Sequence, residues 1–200
     1  MLKKYFAEVI GTFALTLAVI VAINTNQLDT TLAAGLTLGL FVYTLGSISG
    51  AHFNPAVTIG AWTLGKIRPS QAVGYIIAQF IGAGLALLLA SWMVSTVSLL
   101  DLGIDVSNSW ETGVGEFIGA FFFMFGVAAV IYGKVDQNLS GVVVGGSLML
   151  GITFALTSSN GVLNPALAFG IGSFSWMYVI APIIGSILGM QAFKFVAGEK

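Results

Sequence analysis

Six long apolar segments, separated by short polar ones, account for most of the chain. They cover residues 5–23, 32–49, 71–97, 113–132, 139–157 and 176–196. An α-helix needs about 20 apolar residues to cross a hydrocarbon core of about 30 Å, and each segment is close to that length. The pattern therefore predicts an all-α membrane protein with six transmembrane helices and short connecting loops.

Two shorter apolar segments, 57–64 and 167–174, follow two copies of one tripeptide, Asn54-Pro55-Ala56 and Asn164-Pro165-Ala166. Asn is a favoured N-cap and Pro suits the first helical position, so each copy predicts a helix start. A helix of this length reaches only about 12 Å, too little to cross the bilayer. We therefore expect two re-entrant half-helices, whose non-helical approaches must be buried in protein or line a water-filled cavity. One interruption in each half points to a pathway between the halves.

The two halves of the chain resemble each other. Glu8-x-x-Gly11-Thr12-Phe13 in the first span matches Glu116-x-x-Gly119-Ala120-Phe121 in the fourth, and Asn-Pro-Ala begins 46 and 48 positions after the respective Glu. Each repeat, about 1–99 and 113–200, holds three spans, so the second must be inverted across the membrane. We expect one membrane channel domain over residues 1–200, with the half-helix N-termini facing each other near the midplane.

The cationic side chains all fall on one side of this layout if the N-terminus is inside. They are Lys3, Lys4, Lys66, Arg68, Lys134, Lys194 and Lys200. The outer loops carry only acidic charges, at Asp29, Asp101, Asp105 and Glu111. Because cytoplasmic loops are enriched in Lys and Arg, the distribution predicts a multi-pass protein of the cell membrane with both termini in the cytoplasm.

Composition excludes several kinds of chemistry. The chain is 57% hydrophobic and 8% charged, which is typical of a polytopic membrane protein. It has no Cys, so disulfides and thiol chemistry are excluded, and a single His excludes a multi-histidine metal site. We expect no cofactor, no metal and no nucleic-acid partner, since no basic cluster occurs; membrane lipids are the expected surroundings.

The facing helix N-termini predict the electrostatics of the midplane. A helix N-terminus carries unpaired amides and a partial positive charge of about half a unit. Two of them aimed at one point make the midplane unfavourable for cations. We expect the side-chain amides of Asn54 and Asn164 to face the lumen there.

The two motifs in their context resemble the aquaporin, or major intrinsic protein, family. The resemblance rests on ISGAHFNPAVTIG, on NPALAFG, and on Glu in the first and fourth spans, and it covers essentially the whole chain. It implies six spans with two half-helices, assembled as tetramers with one pore per protomer. It also implies passage of water or small neutral solutes without a cofactor.

Glu8 and Glu116 are ionisable residues within predicted spans. Such residues are costly in a membrane, so their presence suggests a function. A pair of carboxylates could serve an enzyme, but the resemblance implies that each accepts backbone amides of a re-entrant loop. His52 could line the inner vestibule or make a fixed structural hydrogen bond.

Small residues recur every four positions in two of the spans. They predict close helix packing within the protomer, at Gly74, Ala78, Gly82, Ala86, Gly185 and Gly189.

The sequence departs from the family at the outer constriction. Most members carry an Arg after the second Asn-Pro-Ala, where this chain has Leu167. Matching the flanks places the other three constriction positions at Ala34, Ile152 and Gly161, without the Phe and His of orthodox water channels. Glycerol facilitators also keep the Arg, and they add an Asp where this chain has Ala168. The predicted constriction is therefore wide, uncharged and apolar, so that selection depends on diameter and dewetting.

The favoured function is a passive channel for water, with ammonia, small polyols and dissolved gases as further candidates. The apolar constriction also allows a structural or poorly conducting membrane protein, and the missing Arg allows a channel that leaks protons or ions. An enzyme has the least support, because the chain lacks a Gly-x-Ser-x-Gly or paired Asp motif. A coupled transporter is weakly supported, since Glu8 and Glu116 have a structural interpretation.

The charge distribution predicts the orientation of both ends. A reporter or protease site fused to each terminus should be accessible only from the cytoplasmic side, because every Lys and Arg lies on that side of the layout. Reporter activity in intact cells measures this. A terminus that is accessible from outside would contradict the six-span arrangement.

Overall fold

The computed structural model describes residues 1–94 and 106–199. Within these ranges the chain forms α-helices and no strand. The helices are α1 (Leu2–Thr25), α2 (Thr30–Ser49), α3 (Pro55–Thr63), α4 (Pro69–Met93), α5 (Trp110–Ile131), α6 (Ser140–Ala155), α7 (Pro165–Gly170) and α8 (Trp176–Val196), with a short 3₁₀ turn at Gln137–Leu139. The predicted positions 95–97, Asp101, Asp105 and Lys200 lie outside the described residues.

Six of these helices are long and apolar enough to cross a membrane, which confirms the predicted membrane fold. They are α1, α2, α4, α5, α8 and the segment Gln137–Ala155 that contains α6. The largest difference from prediction concerns the second half-helix, which was expected to extend to residue 174. The helix α7 ends at Gly170 because Gly172 takes a φ of 76°, a left-handed conformation that stops a helix.

The repeat is visible in how the helices pack. In the first half α1 packs on α2 and α4, and in the second half α5 packs on α6 and α8 in the same way. The helices α2 and α6 pack against each other across the halves. The half-helices cross over as well, since α3 lies against α8 and α7 lies against α4. Each half-helix is therefore held by both repeats.

Glycines allow these helices to approach at backbone distance. A Cβ on Gly82 would meet the carbonyl oxygen of Val9 in α1, and a Cβ on Gly185 would meet that of Phe117 in α5. Between α2 and α6, a Cβ on Gly145 would meet the Gly35 carbonyl oxygen. The glycines of the small-residue pattern thus pack within the protomer, as predicted.

Neighbouring glycines of α6 offer a matched test of this packing. We expect Gly145→Ala to destabilise the protein by about 1–3 kcal/mol, the usual effect of overpacking. Gly146→Ala should be neutral or slightly stabilising, because a Cβ there meets nothing within 4 Å and Ala is the better helix former. Thermal unfolding in detergent measures both variants. Equal melting temperatures would contradict the tight α2–α6 contact.

Candidate functional site

The two half-helices meet at their N-termini through a reciprocal pair of hydrogen bonds. The Asn54 side-chain amide donates to the Leu163 carbonyl at 2.8 Å, and the Asn164 side-chain amide donates to the Phe53 carbonyl at 3.0 Å. Each Asn thus joins its own half-helix to the loop of the other repeat. The N-termini of the two half-helices face each other in the structure, as predicted.

Each Asn also caps the half-helix that it begins. Asn54 Oδ1 accepts from the Ala56 amide at 2.8 Å, and Asn164 Oδ1 accepts from the amides of Ala166 and Leu167 at 3.1 and 3.2 Å. Because a side-chain amide has two N–H groups and one is used across the junction, a second N–H remains on each. Both side chains are nearly buried, at 3% and 2% exposure, and both line a small cavity at the junction.

The loops before the half-helices adopt an unusual backbone. Ala51 and Phe53 have φ values of 52° and 49°, and Gly161 and Leu163 have 64° and 55° at the matching positions of the second loop. A left-handed conformation costs a residue with a Cβ roughly 1–2 kcal/mol. The alternation lets a loop offer amide groups to its Glu and a carbonyl group to the opposite Asn.

Glu8 binds the first loop. Its Oε1 accepts from the Ser49 hydroxyl at 2.6 Å and the His52 amide at 3.1 Å. Its Oε2 accepts from the Phe53 amide at 2.7 Å and the Gln79 side-chain amide at 2.8 Å. The carboxylate is completely buried, and its bonds account for two backbone N–H groups that would otherwise be unpaired.

Glu116 binds the second loop in a similar way. Its Oε1 accepts from the Ser159 hydroxyl at 2.9 Å and the Val162 amide at 2.8 Å, and its Oε2 accepts from the Leu163 amide at 2.7 Å. This carboxylate is also fully buried. The two Glu residues thus bind different loops rather than one shared substrate position.

The first loop has a further polar network that the sequence analysis missed. The Thr58 hydroxyl donates to the Asn54 carbonyl at 3.1 Å and accepts from the Gln79 side chain at 2.9 Å. Since the Thr58 proton is used there, the His52 Nδ1, 3.0 Å from the Thr58 oxygen, is the donor of that contact. The Nε2 of His52 is then the acceptor nitrogen. His52 makes a fixed hydrogen bond and also lines the cavities, so both of its predicted interpretations apply.

Two buried tyrosines support the loops from outside. The Tyr75 hydroxyl donates to the Ser49 carbonyl at 2.6 Å, and the Tyr178 hydroxyl accepts from the Asn160 amide at 3.0 Å. Aligning Gly82 with Gly185, which both contact the first helix of their repeat, also aligns Tyr75 with Tyr178. That recurrence is a sequence signal that could have identified them.

Three cavities follow one another through the molecule. We call them outer, central and inner, after the sides they face in the predicted orientation; their volumes are about 400, 10 and 130 Å³. The central cavity, at the junction of the half-helices, is about the size needed for one water molecule. The outer and central cavities share Ala34, Ile152, Val162 and Leu167, and the central and inner cavities share Leu38, His52 and Phe123.

The four predicted constriction residues come together at the boundary of the outer cavity. Ala34, Ile152 and Leu167 line both the outer and the central cavity, and Gly161 lines the outer one. The Leu167 side chain, in the position where the family Arg is expected, is buried. Within residues 1–94 and 106–199, no group of three potential metal ligands occurs.

Comparison with solved structures defines the class of fold. The chain matches the X-ray structure of the aquaglyceroporin from Plasmodium falciparum with a TM-score of 0.81 at 23% identity, over 98% of this chain and 96% of that one. The fold is thus the aquaporin fold, with six membrane-crossing helices and two half-helices.

Sequence comparison then gives the family. The family model described as Major intrinsic protein matches residues 1–193, and the chain belongs to that family. It is 33% identical to glycerol uptake facilitator protein-like 6 of Lactiplantibacillus plantarum, over 99% of this chain and all of the relative. It is 30% identical to aquaporin Z of Photorhabdus laumondii over the full length of both. Membership makes the protein a multi-pass membrane channel for water or small solutes.

The hydrogen bonds of Glu116 predict the effect of its amide variant. A Gln at this position offers one acceptor oxygen, so one of the two loop amides loses its partner. We expect Glu116→Gln to lower the free energy of unfolding by about 1–3 kcal/mol, the usual cost of an orphaned buried amide. Thermal unfolding in detergent measures the loss.

The exposed Glu111 in the first turn of the same helix provides the control. Glu111→Gln should change stability by less than about 1 kcal/mol, because only exposed interactions in the first turn of the helix, with Ser109 and with the helix dipole, are affected. Similar losses for the two variants would show that the loop bonds of Glu116 contribute little.

Proposed function

We propose that the protein is a passive channel for water and other small neutral solutes, with an uncharged and apolar outer constriction. The observation that carries this proposal is the junction of the two half-helices within a series of three cavities. Asn54 and Asn164 line the central cavity, and each has one N–H beyond those used in the junction. These donors can replace part of the hydration that a solute loses on entering.

Cation exclusion is proposed to depend on the same junction. Both half-helices present their N-termini to it, each with a partial positive charge of about half a unit. A neutral solute is unaffected by this charge, whereas a cation would approach two positive ends in a region of low dielectric constant. Glu8 and Glu116 are proposed as the scaffold that holds the loops in this position.

Selection at the outer constriction is proposed to rest on size and on dewetting. Ala34, Ile152, Gly161 and Leu167 bring neither a charge nor an aromatic ring to this level. A guanidinium would have supplied several donors and a fixed positive charge. Small neutral solutes other than water, such as ammonia and small polyols, are therefore included in the proposal. The mixture of names among the relatives, an aquaporin and a glycerol uptake facilitator-like protein, agrees with this range.

The arrangement in the cell is also part of the proposal. We infer a homotetramer with one pore in each protomer, surrounded by the lipids of the cell membrane. Residues 1–200 form one channel domain made of inverted repeats at about 1–99 and 113–200. Both termini lie in the cytoplasm, in accord with the positions of Lys and Arg along the chain.

A second candidate is a structural membrane protein that conducts poorly. The small volume of the central cavity, about 10 Å³, and its mostly apolar lining favour it. The two candidates differ in one measurement, since only a channel accelerates the swelling of proteoliposomes.

Stopped-flow light scattering with a panel of neutral solutes tests the proposal. Wild-type proteoliposomes should have a higher water permeability than protein-free vesicles. They should also have a higher permeability to glycerol-sized solutes. Leu167→Arg should lower the ratio of glycerol to water permeability about tenfold, equivalent to about 1.4 kcal/mol of added barrier. The larger and charged side chain narrows the opening for the bulkier solute more than for water.

Leu167→Met serves as the matched control, because it keeps an apolar side chain of similar volume. Its permeability ratio should equal that of the wild type. A wild type that passes water and rejects every larger neutral solute would contradict the wide constriction. Permeability no greater than that of protein-free vesicles for every solute would instead favour the structural candidate.

A further inference from the structure

The two mouths of the cavity series differ in charge. Among residues 1–94 and 106–199, the outer cavity is lined by the Asp29 carboxylate and several hydroxyl groups, and by no Lys or Arg. Within the same ranges, the lining of the inner cavity contains Lys66 and no Asp or Glu. The two ends thus have opposite charges, although the half-helices themselves are arranged symmetrically.

Lys66 is held at the inner mouth by the end of α3. Gly65 takes a φ of 71°, and the amides of Gly65 and Lys66 donate to the carbonyls of Trp62 and Ala61 at 2.9 and 3.0 Å. This pattern is a Schellman motif, which ends a helix in a defined geometry. The backbone of Lys66 therefore has a fixed position relative to the half-helix.

The ammonium group of Lys66 is positioned by an aromatic face. Its Nζ lies 4.3 Å from the centroid of the Tyr132 ring, which itself stacks on Phe193 at 6.2 Å. A cation over an aromatic face is attracted by the negative face of the ring. Among the residues that the structure describes, the recorded ion pair joins Lys134 to Glu199 at 2.7 Å and leaves Lys66 out. The charge of Lys66 is therefore not cancelled by a direct carboxylate partner in that part of the chain.

A positive charge is electrostatically significant at this place. A helix C-terminus carries a partial negative charge of about half a unit, so the end of α3 by itself would attract cations to the inner mouth. The Lys66 ammonium has the opposite sign and about twice that magnitude. The sum of these two charges is positive and therefore repels cations.

We propose that Lys66 is a selectivity-determining residue, a fixed positive charge that lowers the concentration of cations at the inner mouth. It provides a second barrier to cations in series with the half-helix junction. Lys66 lies on the inner side of the junction, whereas Leu167 lies on the outer side. In the family, the position of Leu167 is the one at which an Arg would have supplied a charge. This inference rests on the proposed channel function.

The size of the effect follows from Coulomb's law. A unit charge about 8 Å from a monovalent cation changes the local cation concentration roughly 2- to 30-fold, for effective dielectric constants from that of water to that of a protein surface. The effect should also shrink in salt, because the Debye length falls from about 10 Å at 0.1 M to about 3 Å at 1 M. A purely structural role of Lys66 at the end of α3 would give no such dependence.

The test compares K⁺ flux with water flux in the same proteoliposomes, at 0.1 M and 1 M salt. Lys66→Met keeps the aliphatic stem and removes the charge, and it should raise the ratio of K⁺ to water permeability roughly 2- to 30-fold. Lys66→Glu should raise the ratio further, and Lys66→Arg should restore the wild-type value. The increases should be smaller in 1 M salt.

Lys3→Met is the matched control. It removes a positive charge from the same predicted face, but Lys3 is exposed and is not among the residues that line the three cavities. Its permeability ratio should equal that of the wild type.

The outcomes separate this inference from the function on which it rests. Normal water flux with no rise in K⁺ permeability in either Lys66→Met or Lys66→Glu overturns the inference and leaves the channel intact. A rise of the same size in Lys3→Met, or one that is independent of salt, also overturns it. Water flux no faster than in protein-free vesicles for the wild type overturns the channel function and the inference together.

Discussion

The structure depends on hydrogen bonds to the backbone of the two re-entrant loops. These loops are not helical, and they lie where no bulk water can bind their N–H and C=O groups. Each unpaired N–H or C=O group in such a place costs several kcal/mol. Glu8 accepts from two amides of the first re-entrant loop, and Glu116 accepts from two amides of the second. The loop carbonyls of Phe53 and Leu163 are bound by the Asn of the opposite repeat. These bonds stabilise the left-handed backbone conformations of Ala51, Phe53 and Leu163, which lead into the half-helices.

This hydrogen bonding makes the two repeats dependent on each other. Neither loop finds all of its hydrogen-bond partners in its own half, because the carbonyl groups of Phe53 and Leu163 accept from an Asn side chain about half a chain away. A Cβ on Gly11 of α1 would meet the Phe53 side chain, and a Cβ on Gly119 of α5 would meet the Leu163 side chain, so these glycines let each loop lie close to the helix that carries its carboxylate. The cavities are the space that remains between the repeats once these contacts are made, which explains why their lining comes from both halves.

The repeats are nevertheless not equivalent in chemistry. The first loop adds His52 and Thr58 to its network, together with Gln79 from α4. The same register places Pro182 at the position of Gln79 in the second repeat, so the second carboxylate lacks that donor. Polarity along the cavities is therefore uneven. Hydroxyl groups and an acid line the outer end, two Asn amides and His52 interrupt a mostly apolar lining in the middle, and His52 and Lys66 line the inner end. A symmetric scaffold thus carries an asymmetric path.

Much of this protein could be predicted from its sequence, because the relevant signals are local or periodic. The length of the apolar segments predicts the six spans, and each Asn-Pro pair predicts the start of a half-helix. The recurrence of Glu in the first and fourth spans indicates that the two halves are related. The choice of Ala34, Ile152, Gly161 and Leu167 as neighbours came from the family resemblance, and the structure brings them together. The end of α7 at Gly170, the partner Gln79, and the position of Lys66 over Tyr132 were decided only by the tertiary structure. The partners of a buried polar group are set by which helices pack together, and residues as far apart as Glu8 and Gln79 carry no local pattern that records their contact.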